Sequence, residues 1–115
     1  EAPLLLDVRE PEEYAVSHLP GAIRVAPDAS ASQMRDEIDL SRPLVLYCSI
    51  GYRSSALAEQ LIAAGYTQAM NLEGSIFKWA NEGRPLRRDG QATDQAHPYN
   101  TKYGRMLREP LRAEH

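Results

Sequence analysis

The stretch Tyr47-Cys48-Ser49-Ile50-Gly51-Tyr52-Arg53-Ser54 decides the fold. An apolar run over residues 43–47 leads into it, and a helical pattern over residues 54–64 leads out of it. The only cysteine of the chain therefore lies where a buried strand passes into a helix. Open α/β sheets place their ligand sites at this point, outside the carboxyl ends of the strands. The stretch predicts an α/β fold with a ligand site at Cys48.

The loop after Cys48 has the features of an anion cradle. Gly51 gives a tight loop the conformational freedom that it needs. Amides of such a loop tend to converge on its centre, and the helix that begins near Ser54 adds the positive end of its dipole. Because Arg53 adds a full charge, we expect the pKa of the Cys48 thiol to lie below that of a free cysteine. A thiolate held in this way is a nucleophile, so Cys48 is the predicted catalytic residue.

This loop resembles the active-site loop of the rhodanese family, whose pattern Cys-x-x-Gly-x-Arg fits residues 48–53. Three further segments resemble motifs of that family, in the family's order. They are Leu-Leu-Leu-Asp-Val-Arg-Glu at 4–10, Ser-His-Leu-Pro-Gly-Ala-Ile-Arg-Val at 17–25, and Leu-Glu-Gly at 72–74 with Trp79 after it. The resemblance covers residues 4–86 and is specific because four motifs occur together.

The resemblance implies a rhodanese-like α/β fold, in which a parallel sheet is flanked by helices on both faces. The alternation of strand and helix patterns independently favours a three-layer parallel sheet. Rhodanese-like domains usually begin with a further short strand and helix, and we expect this chain to lack them. We predict a rhodanese-like domain over residues 1–86 and a C-terminal extension over residues 87–115 that docks back on the domain.

Individual elements follow from the hydrophobic periodicity. Strands are predicted over residues 4–8, 22–25, 44–47 and 69–72, and helices over residues 33–38, 54–64 and 76–80, with another helix starting at Pro11. Residues 87–94 are expected to form a polar linker. A short helix is predicted over residues 101–108, with Tyr103, Met106 and Leu107 as its apolar side.

The resemblance also implies a reaction, the transfer of sulfane sulfur. Thiosulfate or a persulfide would donate sulfur to the Cys48 thiolate, and the resulting persulfide would pass it to a thiol or to cyanide. The expected partners are a small-molecule sulfur donor and a thiol acceptor, with a protein as a possible acceptor. The reaction needs no cofactor and no metal.

The other predicted site residues either bind substrate or support the loop. The substrate-binding residues are the rest of the loop, namely Ser49, Ile50, Gly51, Tyr52 and Arg53. Asp7 and Arg9 look like the family's Asp-x-Arg pair, which would brace the loop or the neighbouring strands by charge-assisted hydrogen bonds. Ser54 is predicted to cap the helix, and Glu73 to support the site as a turn residue.

Two other functions are weighed against the sulfurtransferase. Rhodanese-like phosphatases and arsenate reductases resemble a Cys-x5-Arg pattern with a wider loop, whereas Arg53 here comes one residue earlier and Ser54 takes the arginine position. A tighter loop fits one sulfur atom better than a phosphate. The second alternative is a non-enzymatic module that senses persulfides or binds a protein, and the presence of Cys48 argues against it.

Composition excludes several classes of function. A net charge of −3 argues against a nucleic-acid partner, and no apolar run approaches the length of a membrane span. A single cysteine excludes an internal disulfide, and with His18, His97 and His115 scattered along the chain we expect no metal site. These features are compatible with the reducing cytosol, so we expect a cytoplasmic protein without membrane partners.

Overall fold

The computed structural model describes residues 2–114, so Glu1 and His115, the outer limits of the two predicted segments, lie outside the described residues. Within this range four parallel strands form one sheet in the order β2-β1-β3-β4. The strands are β1 (Leu4–Asp7), β2 (Ile23–Arg24), β3 (Leu44–Tyr47) and β4 (Ala69–Asn71). All four were predicted, β1 and β3 from apolar runs. Because the strands are parallel, their carboxyl ends meet at one edge of the sheet.

Four helices alternate with these strands. They are α1 (Pro11–Val16), α2 (Ala31–Glu37), α3 (Tyr52–Ala63) and α4 (Ser75–Asn81). Pro11 occupies the first position of α1, where a missing N–H costs nothing, and Ser30 caps α2 by accepting from the amide of Ser32 at 3.2 Å.

The start of α3 corrects one prediction, because Ser54 is not the cap of this helix. The helix begins at Tyr52, and Gly51 precedes it with a φ of +119°. This left-handed conformation, which suits glycine, turns the chain into the helix two residues earlier than the sequence pattern indicated. The side chain of Ser54 therefore lies within the first turn and is available for other contacts.

Alternate residues of the central strands point to opposite faces of the sheet, and each face has its own core. On one face, Leu6 and Leu46 pack with Leu57 and Leu61 of α3 and with Met34 of α2. On the other face, side chains of the sheet and of α4 pack together, including Leu5, Tyr47, Ile76, Phe77 and Ala80. The predicted arrangement of a parallel sheet with helices on both faces is thereby confirmed.

The segment after α4 differs from the predicted polar linker. Residues 86–93 form an antiparallel hairpin of β5 (Leu86–Arg88) and β6 (Gln91–Thr93). Asp89 and Gly90 at its turn have φ values of +50° and +77°, which is the turn geometry that matches the twist of a tight hairpin. The backbones of His18 and Arg87 also exchange two hydrogen bonds, at 3.0 and 2.9 Å. The hairpin is therefore tied to the domain.

The rest of the segment contains little regular helix. The helix predicted over residues 101–108 is limited to α5 (Thr101–Gly104), and a 3₁₀ turn follows at Glu109–Leu111. Of its predicted apolar side, Leu107 is buried, Tyr103 is partly buried and Met106 is exposed. Leu86, Ala96, Leu107 and Leu111 belong to the same core as Phe77 of α4. Among residues 2–114, no helix combines the length and the apolar character that crossing a membrane requires.

Candidate active site

The site lies where the carboxyl ends of β1 and β3 meet. The two strands pair in register, Asp7 opposite Tyr47, and Cys48 is the first residue after β3. The loop of residues 48–51 then turns directly into α3. Cys48 is only 1% exposed, and it lines a small cavity at this edge.

The sulfur of Cys48 accepts hydrogen bonds from two neighbours. The amide of Gly51 donates to Sγ at 3.1 Å, and the hydroxyl of Ser54 lies 3.4 Å from it. Burial by itself would raise the pKa of the thiol. The hydroxyl of Ser54, the amides of Ser54 and Gly51 and the charge of Arg53 outweigh burial, so the pKa lies below its ordinary value. The surroundings of Cys48 favour the thiolate.

The hydroxyl of Ser54 has several acceptors in reach. Besides Sγ, the carbonyl of Gly51 lies at 3.3 Å, and the side-chain oxygen of Asn71 is closer still. One hydroxyl proton serves one acceptor well, and an ionised acceptor binds it most strongly. We therefore expect the proton of Ser54 to point to Cys48 whenever the sulfur is a thiolate.

Hydrogen bonds from helix α4 hold the loop of residues 48–51 in place. The amides of Ile76 and Phe77 donate to the carbonyls of Cys48 and Ser49, both at 3.1 Å. The amide of Cys48 donates to Oγ of Ser75 at 3.2 Å. Because these bonds hold both peptide groups around Cys48, the amide of Gly51 stays directed at the sulfur.

Arg53 does not present an unbalanced charge to the cavity. Its Nη1 and Nη2 atoms lie 2.7 and 3.1 Å from the two carboxylate oxygens of Glu13 in α1. Nη2 also donates to Oγ of Ser49 at 3.0 Å, and that hydroxyl donates to Glu13 at 3.1 Å. Burial would raise the pKa of Glu13, but the bonds and charge of Arg53 lower it. Glu13 is thus an ionised partner that balances the charge of Arg53.

Asp7 and Arg9 form a second ion pair beneath the loop. Nε and Nη2 of Arg9 bind the two carboxylate oxygens of Asp7 at 2.8 and 2.7 Å, and Nη2 also binds the carbonyl of Ser17 at 2.7 Å. The phenol of Tyr47 donates to Asp7 at 2.7 Å and accepts from the amide of Leu19 at 3.0 Å. The pair links β1, β3 and the segment before β2. Within residues 2–114, neither side chain is hydrogen-bonded to the sulfur of Cys48.

The cavity in front of Cys48 has a volume of about 100 Å³. It is lined by Cys48, Ser49, Ile50, Tyr52, Arg53, Tyr99 and Tyr103. The structure therefore brings four of the five predicted substrate-binding side chains together, and the fifth residue, Gly51, supplies the amide. Glu73 is not among the lining residues. It is exposed and lines another depression, beside Lys78 and Trp79.

Comparison with known proteins decides the family. A family model described as "Rhodanese-like domain" matches residues 1–82. The chain belongs to the rhodanese-like family. Within the part of this rhodanese-like chain that the structure describes, no cluster of His, Cys, Asp or Glu side chains is arranged to hold a metal ion.

Individual relatives agree with this membership. The chain is 36% identical over 83 residues to a protein named "Sulfurtransferase" from Allochromatium vinosum, covering 72% of this chain and 77% of that protein. It is 38% identical over 78 residues to "Uncharacterized protein YqhL" from Bacillus subtilis, covering 68% of this chain and 61% of that protein. A crystal structure titled as a Rhodanese_3 like domain from Anabaena sp. has a TM-score of 0.69 at 24% identity, covering 75% of this chain and 99% of that one. Together these comparisons support a sulfurtransferase family of rhodanese-like fold.

Several residues of this rhodanese-like site were not predicted. Glu13 reads as one of the acids that favour the first turn of α1, and nothing in the sequence pairs it with Arg53, which lies 40 residues further on. Tyr99 and Tyr103 have the spacing of one helix face, but that spacing does not tell which surface they meet. Asn71 is the last residue of β4 and Ser75 the first of α4, and polar residues at such ends are a weak signal for a site at the sheet edge.

Proposed function

We propose that this protein is a sulfurtransferase that moves sulfane sulfur from thiosulfate or a persulfide to a thiol or cyanide through a persulfide on Cys48. The observation that carries the proposal is the sulfur of Cys48, which accepts hydrogen bonds from Gly51 and Ser54 at the edge of a rhodanese-like sheet. The name of the relative from Allochromatium vinosum supports the same class of reaction.

The first step forms the persulfide. The Cys48 thiolate attacks the outer sulfur of the donor, the new S–S bond forms at Sγ, and the donor's own bond to that sulfur breaks. The electron pair of the broken bond leaves with sulfite when thiosulfate is the donor, or with a thiolate when a persulfide is the donor. The hydrogen bonds from Gly51 and Ser54 keep the attacking sulfur of Cys48 ionised before the step.

The second step releases the sulfur. An acceptor thiolate or cyanide attacks the outer sulfur of the persulfide, and Sγ of Cys48 leaves with the bonding pair. The same two donors stabilise the thiolate that forms, because they are already directed at its position before the reaction. Neither step requires an oxidant, a cofactor or a metal.

The supporting residues hold the active-site loop in position. Asp7 and Arg9 brace the strands beneath the loop, and α4 holds the carbonyls of Cys48 and Ser49. The proposal includes a reducing, cytoplasmic compartment, because a lone thiolate and its persulfide react with oxidants. It also includes small-molecule donors, a thiol acceptor and the option of a protein acceptor.

The test is the mass of the intact protein after incubation with thiosulfate or with cysteine hydropersulfide. We expect the gain of one sulfur atom, its removal by cyanide or a thiol, and no gain in Cys48→Ser. Because Cys48 is the only cysteine, the label has one thiol to report on. Equal turnover by Cys48→Ser would refute the covalent route. A persulfide that forms but passes to no acceptor would favour the sensing module instead.

A further inference from the structure

Part of the cavity wall comes from outside the residues matched by the family model. The match ends at residue 82, whereas Tyr99 and Tyr103 belong to the C-terminal segment. The ring centroids of Tyr99 and Tyr103 are 5.5 Å apart, and those of Tyr103 and Tyr52 are 6.5 Å apart. We call Tyr52, Tyr99 and Tyr103 the aromatic wall.

The backbone of Tyr99 adopts an unfavourable conformation. Its φ is +68°, a left-handed conformation that is unfavourable for a bulky side chain. The amide of Tyr99 donates to Nδ1 of His97 at 2.9 Å, and the side chain of Asn100 accepts from the amide of Tyr103 at 2.8 Å. Leu107, further along the segment, is anchored in the core. The chain therefore fixes the wall in front of Cys48 although the backbone at Tyr99 is strained.

The wall limits the size of what reaches the sulfur. A cavity of about 100 Å³ is well below the ~300–1,000 Å³ of common ligand pockets. A cavity of this size admits only a small group, so the bulk of any larger donor has to stay outside, near the exposed ring of Tyr52. The donor must offer its sulfane sulfur at a slender end.

The charges limit what kind of donor is held. Arg53 is bound by both oxygens of Glu13, and its guanidinium carbon lies 4.6 Å from the ring centroid of Tyr99, which covers one of its faces. Thiosulfate brings two negative charges and a broad sulfonate to a cation that is already balanced. A hydropersulfide, R–CH₂–S–SH, brings at most one charge and a narrow sulfur chain, and sulfur packs favourably beside aromatic rings.

We propose that Glu13 and Tyr99 are specificity-determining residues that make Cys48 accept slender alkyl hydropersulfides in preference to thiosulfate. The proposal rests on the proposed function and names the donor class of that site. In the step concerned, Sγ of Cys48 bonds to the outer sulfur of R–CH₂–S–SH and the donor's S–S bond breaks. The electron pair of the broken bond leaves on R–CH₂–S⁻, and the proton stays on the transferred sulfur.

The charge part is tested without any sulfur transfer, by alkylating Cys48 with iodoacetamide and iodoacetate. The two reagents are close in size and differ by one negative charge. Glu13→Gln leaves Arg53 unbalanced, so we expect the ratio of the iodoacetamide to the iodoacetate rate constant to fall by about tenfold. Glu12→Gln removes the same charge from the exposed neighbour in α1 and should leave the ratio unchanged. An unchanged ratio in Glu13→Gln, or an equal fall in Glu12→Gln, would overturn the proposal.

The size part uses Tyr99→Gly, which removes the ring and suits the left-handed backbone. We expect alkylation by the bulky reagent N-phenylmaleimide to accelerate several-fold relative to iodoacetamide, with no such gain in Met106→Ala, an exposed change in the same segment. Because Tyr99 is exposed, this variant should fold, and it tests the size part independently of Glu13→Gln. No relative gain in Tyr99→Gly would overturn the assignment of Tyr99 as a specificity-determining residue.

Donor choice itself is read from kcat/KM for cysteine hydropersulfide and for thiosulfate. The wild type should prefer the hydropersulfide, and Glu13→Gln should shift the preference toward thiosulfate by about tenfold. A wild-type preference for thiosulfate would overturn the donor assignment. If neither donor loads Cys48 while the alkylation ratios change as expected, the proposed function fails and the control of access by Glu13 and Tyr99 stands.

Discussion

Two arginine–carboxylate pairs lie within reach of the same loop, and they differ in their surroundings. Asp7 and Arg9 are 2.7 Å apart and 0% exposed, and both are enclosed by backbone groups and by Tyr47. Glu13 and Arg53 are also 2.7 Å apart, but Arg53 is 22% exposed and faces the cavity. At equal distance, the buried pair joins strands, and the partly open pair controls the charge beside Cys48. Solvent access, and not contact distance, separates a structural pair from a pair that can tune a site.

The largest effect is expected from breaking the buried pair. Asp7→Ala leaves the guanidinium of Arg9 without its charged partner at a position with no access to water, which typically costs about 3–5 kcal/mol. It also removes the acceptor of the Tyr47 phenol. Urea unfolding followed by circular dichroism measures the loss. A loss below ~1 kcal/mol would mean that water or rearranged groups satisfy Arg9, and burial would then not distinguish the two pairs.

A smaller loss of stability is expected from breaking the partly open pair of Glu13 and Arg53. Arg53→Ala leaves Glu13 buried without its partner, but solvent near the cavity relieves part of the cost, so we expect about 1–2 kcal/mol. Measured in the same urea experiment, a loss as large as that of Asp7→Ala would show that the partial exposure of Arg53 has no effect on its contribution.

The loss of stability in Arg53→Ala should depend on pH. The pKa of Glu13 in the folded protein is below its ordinary value, so the stability that it contributes is present above the unfolded pKa and is lost as the pH falls through the folded pKa. In Arg53→Ala, burial without the arginine raises that pKa, and the variant is relieved when Glu13 becomes protonated. The difference in unfolding free energy between the wild type and Arg53→Ala should therefore shrink as the pH is lowered from neutral to about 4. A difference that stays constant with pH would separate the loss from the ionisation of Glu13.

The sequence predicted those parts of the site that are local in the chain. The order of the strands' apolar runs, the loop from Cys48 to Arg53 and the pairing of Asp7 with Arg9 each depend on residues a few positions apart. The start of α3 was misplaced because Gly51 turns the chain at once into the helix, a conformation that a hydropathy pattern does not encode.

The contacts that were missed cross long distances in the chain. Glu13 meets Arg53 only because α1 lies beside the start of α3, and Tyr99 reaches the cavity only because the C-terminal segment packs on the core of α4. The β5–β6 hairpin is the exception, since Asp89-Gly90 is a local turn signal, and the polar residues around it led to the wrong prediction of a linker. Periodicity describes a segment's own structure and carries no information about the surface that it meets.

The smallest effect is expected at a third pair, Glu82–Arg84, which is exposed to solvent. Arg84 and Glu82 are 2.8 Å apart, nearly the same distance as in the other two pairs, but they are 56% and 42% exposed. Arg84 also lies over the ring of Trp79, which holds it in place whether or not Glu82 is present. Water solvates both charges when the pair is broken, so Glu82→Ala should leave the urea midpoint unchanged within error. A shift as large as that of Arg53→Ala would make distance the property that matters, and the ranking of the three pairs by burial would then be wrong.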